Sequence, residues 1–101
     1  MQIPSVDKIK IIGVRPRVFF SIVGIVVSVL NYGQNDVTLS AVAIFDDRGI
    51  MIDSIPLSEK IKAGETKNIP ISIELSSDRR YEVKVITARG AEAAYSFIAK
   101  A

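Results

Sequence analysis

Residues 18–30 form a run without a single charge, made mostly of Val, Ile, Leu and Phe. A helix that crosses a bilayer needs about 20 such residues. This run is shorter and is diluted by Ser21, Gly24 and Ser28, so it is not a membrane helix. Its β-branched content and its flanking turn residues make it a strand. Alternate positions give Phe20, Ile22, Gly24, Val26, Ser28 and Leu30 on one face and Phe19, Ser21, Val23, Ile25, Val27 and Val29 on the other. Both faces are apolar. A sandwich strand ordinarily buries one face and wets the other, so the second face needs cover, either from within the domain or from a partner. The odd-numbered face, with Phe19, Val23, Ile25, Val27 and Val29, is the candidate protein interface. Burying four Val or Ile side chains there contributes about 1.5–3 kcal/mol each before association costs, enough for a homo-oligomer. Which face points outward is left open by the pattern.

The rest of the chain is divided by Gly, Asn, Asp, Pro and Ser into short strands, with no stretch of helical period. Lys8 to Val14 is the first strand, ended by Arg15-Pro16-Arg17, because Pro16 has no N–H for a ladder. Val18 to Asn31 is the second, closed by the turn Asn31 to Asp36. Val37 to Phe45 is the third. The fourth, Ile50 to Leu57, contains Pro56 and is therefore an edge. Thr66 to Leu75, Tyr81 to Thr87 and Glu92 to Ala99 complete seven strands with turns about ten residues apart. That is the pattern of an all-β, immunoglobulin-like sandwich of about seven antiparallel strands. Tyr81, at the start of the sixth, stands where such sandwiches place a tyrosine whose hydroxyl pins the preceding turn.

The chain has 101 residues, one domain's worth, and contains neither Cys nor His. Disulfides, thiolate and imidazole metal sites, and every catalytic pairing that uses an imidazole or thiol are thereby excluded. No enzyme, cofactor or metal is expected. The net charge of +2 comes from 13 basic and 11 acidic residues spread along the chain, unlike the concentrated basic excess of nucleic-acid binders. Asp46, Asp47 and Asp53 lack the regular spacing of a calcium loop, and Asp46-Asp-Arg-Gly49 is sufficient as a turn. In a seven-strand sandwich Arg15, Arg17, Arg48, Arg79 and Arg80 fall in turns at one end, a modestly basic rim for electrostatic contact with an acidic protein.

Three stretches carry a family resemblance: Val29-Leu-Asn-Tyr-Gly33, Ile61-Lys-Ala-Gly-Glu-Thr66 and Tyr81-Glu-Val-Lys-Val-Ile-Thr-Ala-Arg-Gly90. They look like the N-x-G, x-x-G-E-T and Y-x-V-x-V-x-T-x-x-G of archaeal pilin-like proteins, which include archaellum components. The resemblance implies a non-enzymatic, extracellular domain of a surface appendage, most similar to an accessory protein of the archaellum motor. It implies as partners the surface-layer protein or a sister accessory protein, beside the second copy that the apolar second strand would engage. On this reading residues 1–101 are one domain and 1–7 an extended lead-in, the remnant of a link to an N-terminal membrane helix that this chain lacks. The alternative is an adhesion or carbohydrate-binding module of a larger surface protein, against which the absence of Trp weighs.

Overall fold

The computed structural model describes residues 7–101, so most of the lead-in lies outside the described residues. Seven strands follow in order: β1 (Ile9–Phe19), β2 (Ser21–Asn31), β3 (Val37–Phe45), β4 (Met51–Ile61), β5 (Thr66–Leu75), β6 (Arg80–Thr87) and β7 (Glu92–Ile98). They form two antiparallel sheets, β1-β2-β5 and β4-β3-β6-β7. The all-β sandwich expected from the turn spacing is the observed architecture. It departs from the constant-type immunoglobulin layout at the fourth strand, which joins the second sheet instead of the first.

Position in the sheets follows composition. Of the three central strands, β2 and β3 carry no charge, while β6 carries Arg80, Glu82 and Lys84. Pro16, Pro56 and Pro70 lie in β1, β4 and β5, all edge strands, where a missing N–H leaves no ladder bond unmade on the open side. The core joins Ile22, Ile25, Val27 and Val29 of β2 to Leu39, Val42 and Ile44 of β3 and Val83 and Val85 of β6. Tyr81 behaves as expected: its hydroxyl accepts the Ser76 N–H at 2.9 Å and ties down the β5–β6 turn.

Three expectations need correction. The first reversal is not at Arg15-Pro16-Arg17. Strand β1 continues through Pro16, paired with Ile25, and the chain turns at Phe20, whose φ of 64° is left-handed. An edge strand tolerates proline, so Pro16 interrupts nothing. The long second strand from Val18 is therefore two strands of one hairpin. Strand β4 also runs on past Leu57 to Ile61.

The third correction concerns β2. Ile25, Val27 and Val29 are fully buried in the domain's own core, so they offer no surface to a partner. The alternation that made both faces look equivalent is broken by a bulge. Ile22 and Gly24 lie opposite Val18 and Arg17, consecutive residues of β1, so Val23 is an extra residue on that side. Even-numbered Ile22 thus shares the core face with odd-numbered Ile25, Val27 and Val29. Gly24 sits at the switch because β5 passes close by: a Cβ there would lie 2.6 Å from the Ile71 carbonyl oxygen. The outward face is Val23, Val26, Ser28 and Leu30, where Val26 and Leu30 are half-buried between cross-strand neighbours.

One buried polar side chain organises the opposite end of the molecule. Asn31 is fully buried. Its amide Nδ2 donates to the carbonyls of Asn35 at 2.8 Å and Ile61 at 3.0 Å, and its Oδ1 accepts the Gly33 N–H at 3.0 Å. Its backbone N–H donates to Glu65 and its carbonyl accepts from Gly64. The side chain therefore ties the β2–β3 loop to the end of β4, and the backbone of the same residue ties both to the turn that leads into β5. Burial of an amide is sustained when each of its polar atoms is paired, as here.

Candidate interaction surface

The β1–β2 hairpin buries its base and bares its tip. Ile9 and Ile11 belong to the core, whereas every residue from Arg15 to Ser21 is exposed. Phe19 is 70% exposed and Phe20 95%. Their rings meet edge to face, with centroids 4.8 Å apart. Val18 is half exposed beside them, and Val23 lies just behind on the outward face at 38%. Large apolar side chains are usually covered, and two adjacent phenylalanines at a hairpin tip are an unusual expenditure of solvent contact. Phe20 is also backbone-strained: a bulky residue in the left-handed region costs on the order of 1 kcal/mol relative to glycine.

Strand alternation places Arg15, Arg17 and Phe19 on the same outward side of β1. Arg15 and Arg17 form no ion pair among the described residues. Across residues 8–35 the charged side chains are Lys8, Lys10, Arg15 and Arg17, with no acid. The hairpin is thus a basic arm on a nearly neutral molecule. Lys10 lies over the Tyr32 ring, 6.0 Å from its centroid.

The topology brings the β3–β4 turn, the β5–β6 turn and the end of β7 to the same end of the sandwich as Phe20. Arg48, Arg79 and Arg80 are there, but partly neutralised. Arg48 pairs with Asp46 at 3.1 Å, and Arg79 reaches Asp47 across the two turns at 3.8 Å. Arg80 borders a shallow depression of about 210 Å³ shared with Asp46, Asp47, Tyr81 and Glu82. Arg15 and Arg17 belong to the strand leading to this end rather than to a turn. A second apolar group, Ile50, Met51 and Ile52, lies exposed at the start of β4.

The acidic turn is occupied with its own backbone. Asp46 accepts the N–H groups of Ile50 at 3.0 Å and Arg48 at 2.9 Å, and its carboxyl is held below the ordinary value of 3.8, first by the Ile50 N–H and then by Arg48, against the opposing effect of desolvation. Asp53 caps the N–H of Ser54. At the other end, Asp36 is likewise lowered, chiefly by the Ala63 N–H, with Lys60 assisting. These carboxylates stabilise turns, and among the described residues no cluster of three or more acidic groups is arranged to hold a metal ion.

Of the five expected interface residues, the structure leaves Phe19 and Val23 on the surface and buries the other three. Phe20 and Val18, the most accessible apolar residues of the hairpin together with Phe19, were missed because the dipeptide Phe19-Phe20 reads as strand interior. The available signal was length: two strands of about eleven residues each need a reversal between Ile9 and Asn31, and Phe20 stands at the middle of that span.

This geometry has known counterparts. No protein-family model matches the sequence, and no curated protein sequence does. Among solved structures, the chain is similar to the archaellum periplasmic stator protein FlaG from Sulfolobus acidocaldarius, at 17% identity and a TM-score of 0.71, over 91% of this chain and 100% of that one. It is also similar to a chain of the archaellum periplasmic stator protein complex of FlaF and FlaG from the same organism, at 17% identity and a TM-score of 0.69, over 92% of this chain and 90% of that one. The chain has the fold of these stator domains. No helix among the described residues is long and apolar enough to cross a membrane.

Proposed function

We propose that this chain is a non-enzymatic, stator-type assembly domain of an archaellum, working outside the cytoplasmic membrane through protein contacts. The observation that carries the reading is the likeness to FlaG over nearly the whole of both chains. The second match includes FlaF alongside FlaG, and it supports a sister accessory protein as one partner. A second copy and the surface-layer protein are the others. The exposed apolar residues of the first sheet, Val23 and Phe19, are the surface for self-association, and Arg15, Arg17, Arg48, Arg79 and Arg80 supply charge around it. Few other features of the domain invite a ligand, since the core is closed and the turns satisfy their own carboxylates.

Two measurements test this. Light scattering should give a mass above the monomer for the wild type at high micromolar concentration, and Val23→Lys should return a folded monomer. A FlaF-type protein from the source organism should co-elute with the chain, and deletion of the gene should abolish swimming. A chain that elutes alone, in a cell that swims without it, would sink the reading.

A further inference from the structure

We infer that, independently of the stator reading, the end of the sandwich that carries Phe20 docks on lipid, with the β1–β2 hairpin tip inserted into the headgroup layer of an anionic membrane surface. Ten large apolar side chains are exposed among the described residues, and they are not evenly spread. Seven share one end of a molecule 51 Å long: the hairpin tip from Val18 to Phe20, the segment from Ile50 to Ile52 after the β3–β4 turn, and Ile98 at the end of β7. Of the ten, only Tyr32 stands in the turns of the opposite end. Single apolar residues are ordinary on a surface, but a concentration at one end marks a contact.

Shape favours a lipid surface over a protein socket. The apolar groups come from three separate elements, and the depression at this end is bordered by Asp46, Asp47, Arg80 and Glu82, so it is no cleft for them. A protein would need several sockets in fixed register, whereas a fluid surface takes up projecting side chains without a matching shape. The hairpin runs past the last rung it shares with β5, Ile22 opposite Leu75, so Phe19 and Phe20 stand clear of the sheet. Phe20 holds a φ of 64°, which glycine adopts without strain, and its exposed ring contributes nothing to the core that would offset the cost. Strain kept at an exposed aromatic points to a task outside the fold.

The cations are spaced for the same surface. Strand alternation sets Arg17 about 7 Å and Arg15 about 13 Å behind Phe19 on one side of β1. An apolar element at a membrane surface sinks about 5–10 Å into the boundary between headgroups and acyl chains. With Phe19 at that boundary, Arg17 lies among the lipid phosphates and Arg15 extends its apolar stem towards them. Neither arginine forms an ion pair among the described residues, whereas Arg48 and Arg79 are engaged by Asp46 and Asp47. Glu74 and Asp78 lie at the same end and oppose its attraction for anionic lipid. The apolar tip therefore supplies most of the binding, and the two arginines supply the preference for acidic headgroups.

The chain has no tryptophan, so a single introduced indole reports where lipid touches it. Phe20→Trp and Tyr32→Trp place that reporter at opposite ends, and each is mixed with vesicles of phosphatidylglycerol and phosphatidylcholine. The Phe20→Trp emission should move to the blue and be quenched by brominated lipid, while Tyr32→Trp should not respond. The whole wild-type chain should sediment with the same vesicles, less so as salt rises. Phe20→Gly should bind about tenfold more weakly or worse while melting at the same temperature as the wild type or higher, which separates docking from folding. Arg15→Glu with Arg17→Glu should remove the preference for phosphatidylglycerol over phosphatidylcholine alone. A wild type that stays in the supernatant, a Phe20→Gly chain that binds as tightly as its parent, or a response from Tyr32→Trp in place of Phe20→Trp would overturn the proposal. So would a blue shift of Phe20→Trp that vesicles do not produce but a second copy or a FlaF-type protein does. None of these results touches the stator reading, which stands or falls on co-elution with the FlaF-type protein and on swimming.

Discussion

Replacing Asn31 by Asp changes one heavy atom and should nonetheless weaken the fold severely. The Oδ1 that accepts the Gly33 N–H is preserved, but the two donated hydrogen bonds to Asn35 and Ile61 are replaced by an oxygen facing two carbonyl oxygens in a fully buried site. Each buried carbonyl deprived of its donor costs about 1–3 kcal/mol, so the loss is about 2–6 kcal/mol. A domain of this size has roughly 5–15 kcal/mol of stability in total. At about 4–8 °C per kcal/mol, the melting temperature should fall by about 10 °C or more. The sign of the pH dependence follows from the same geometry. Burial and the facing carbonyls disfavour the ionised form, so the folded-state pKa of the new carboxyl is raised above its unfolded value of about 3.9. The penalty is then smallest below that unfolded value, where both states carry the neutral acid, and grows as pH rises through the folded-state pKa. Urea denaturation of wild type and variant at matched pH should show a gap that narrows on going from about pH 7 to about pH 4.5. A gap under about 1 kcal/mol at neutral pH, or one that stays constant with pH, would refute the role assigned to the Asn31 amide.

Gly24→Ala places a methyl group 2.6 Å from the Ile71 carbonyl oxygen and should cost about 1–3 kcal/mol by forcing β2 and β5 apart, read from the denaturation midpoint. Tyr81→Phe removes the hydroxyl that holds the Ser76 N–H and should cost about 1 kcal/mol, with faster amide exchange confined to the β5–β6 turn. Val27→Lys buries a charge in the core and should leave the chain unfolded, whereas Val23→Lys should remain folded, a contrast that circular dichroism settles. Asp36 and Asp46 have lowered pKa values, so their contribution is present above the ordinary value of 3.8 and disappears as pH falls through the lowered one. Asp46→Asn should therefore reduce the acid sensitivity of the fold, and equal sensitivity in variant and wild type would refute it.

The fold class was legible because turn chemistry and apolar content act locally. Gly49, Gly64 and Gly90 adopt positive φ in the turns where the sequence calls for reversals, and Pro56 marks an edge strand for a backbone reason that needs no tertiary information. The exposed face of β2 was not legible. Alternation predicts a face only while the register is unbroken, and the bulge at Val23 exchanges the two faces through a close approach of β5 that no local pattern encodes. Pro16 misled for a related reason: the same residue ends a central strand and is tolerated at an edge, and edge status is a property of the assembled sheet. Asn31 was visible as part of a turn, but its burial depends on carbonyls of Asn35 and Ile61, the second of them thirty residues away.

The absence of charge in β2 and β3 also governs how the chain must be handled before it is folded. Each is rich in β-branched residues, carries no proline, and sits in the middle of its sheet with a neighbour on both sides. Such segments are the ones that stack with copies of themselves when their edges are open. During synthesis β2 acquires β1 at once but waits for β5, and β3 waits for β6, so each holds an unpaired edge while much of the intervening chain is made. Pro16 and Arg17, in β1 opposite Ile25 and Gly24 of the first of them, and Asp46 and Asp47, immediately after the second, stand where gatekeeping residues limit such stacking. The aggregation risk of this protein therefore lies in the interval before its last strands arrive, and removing those flanking residues would raise it without touching the folded core.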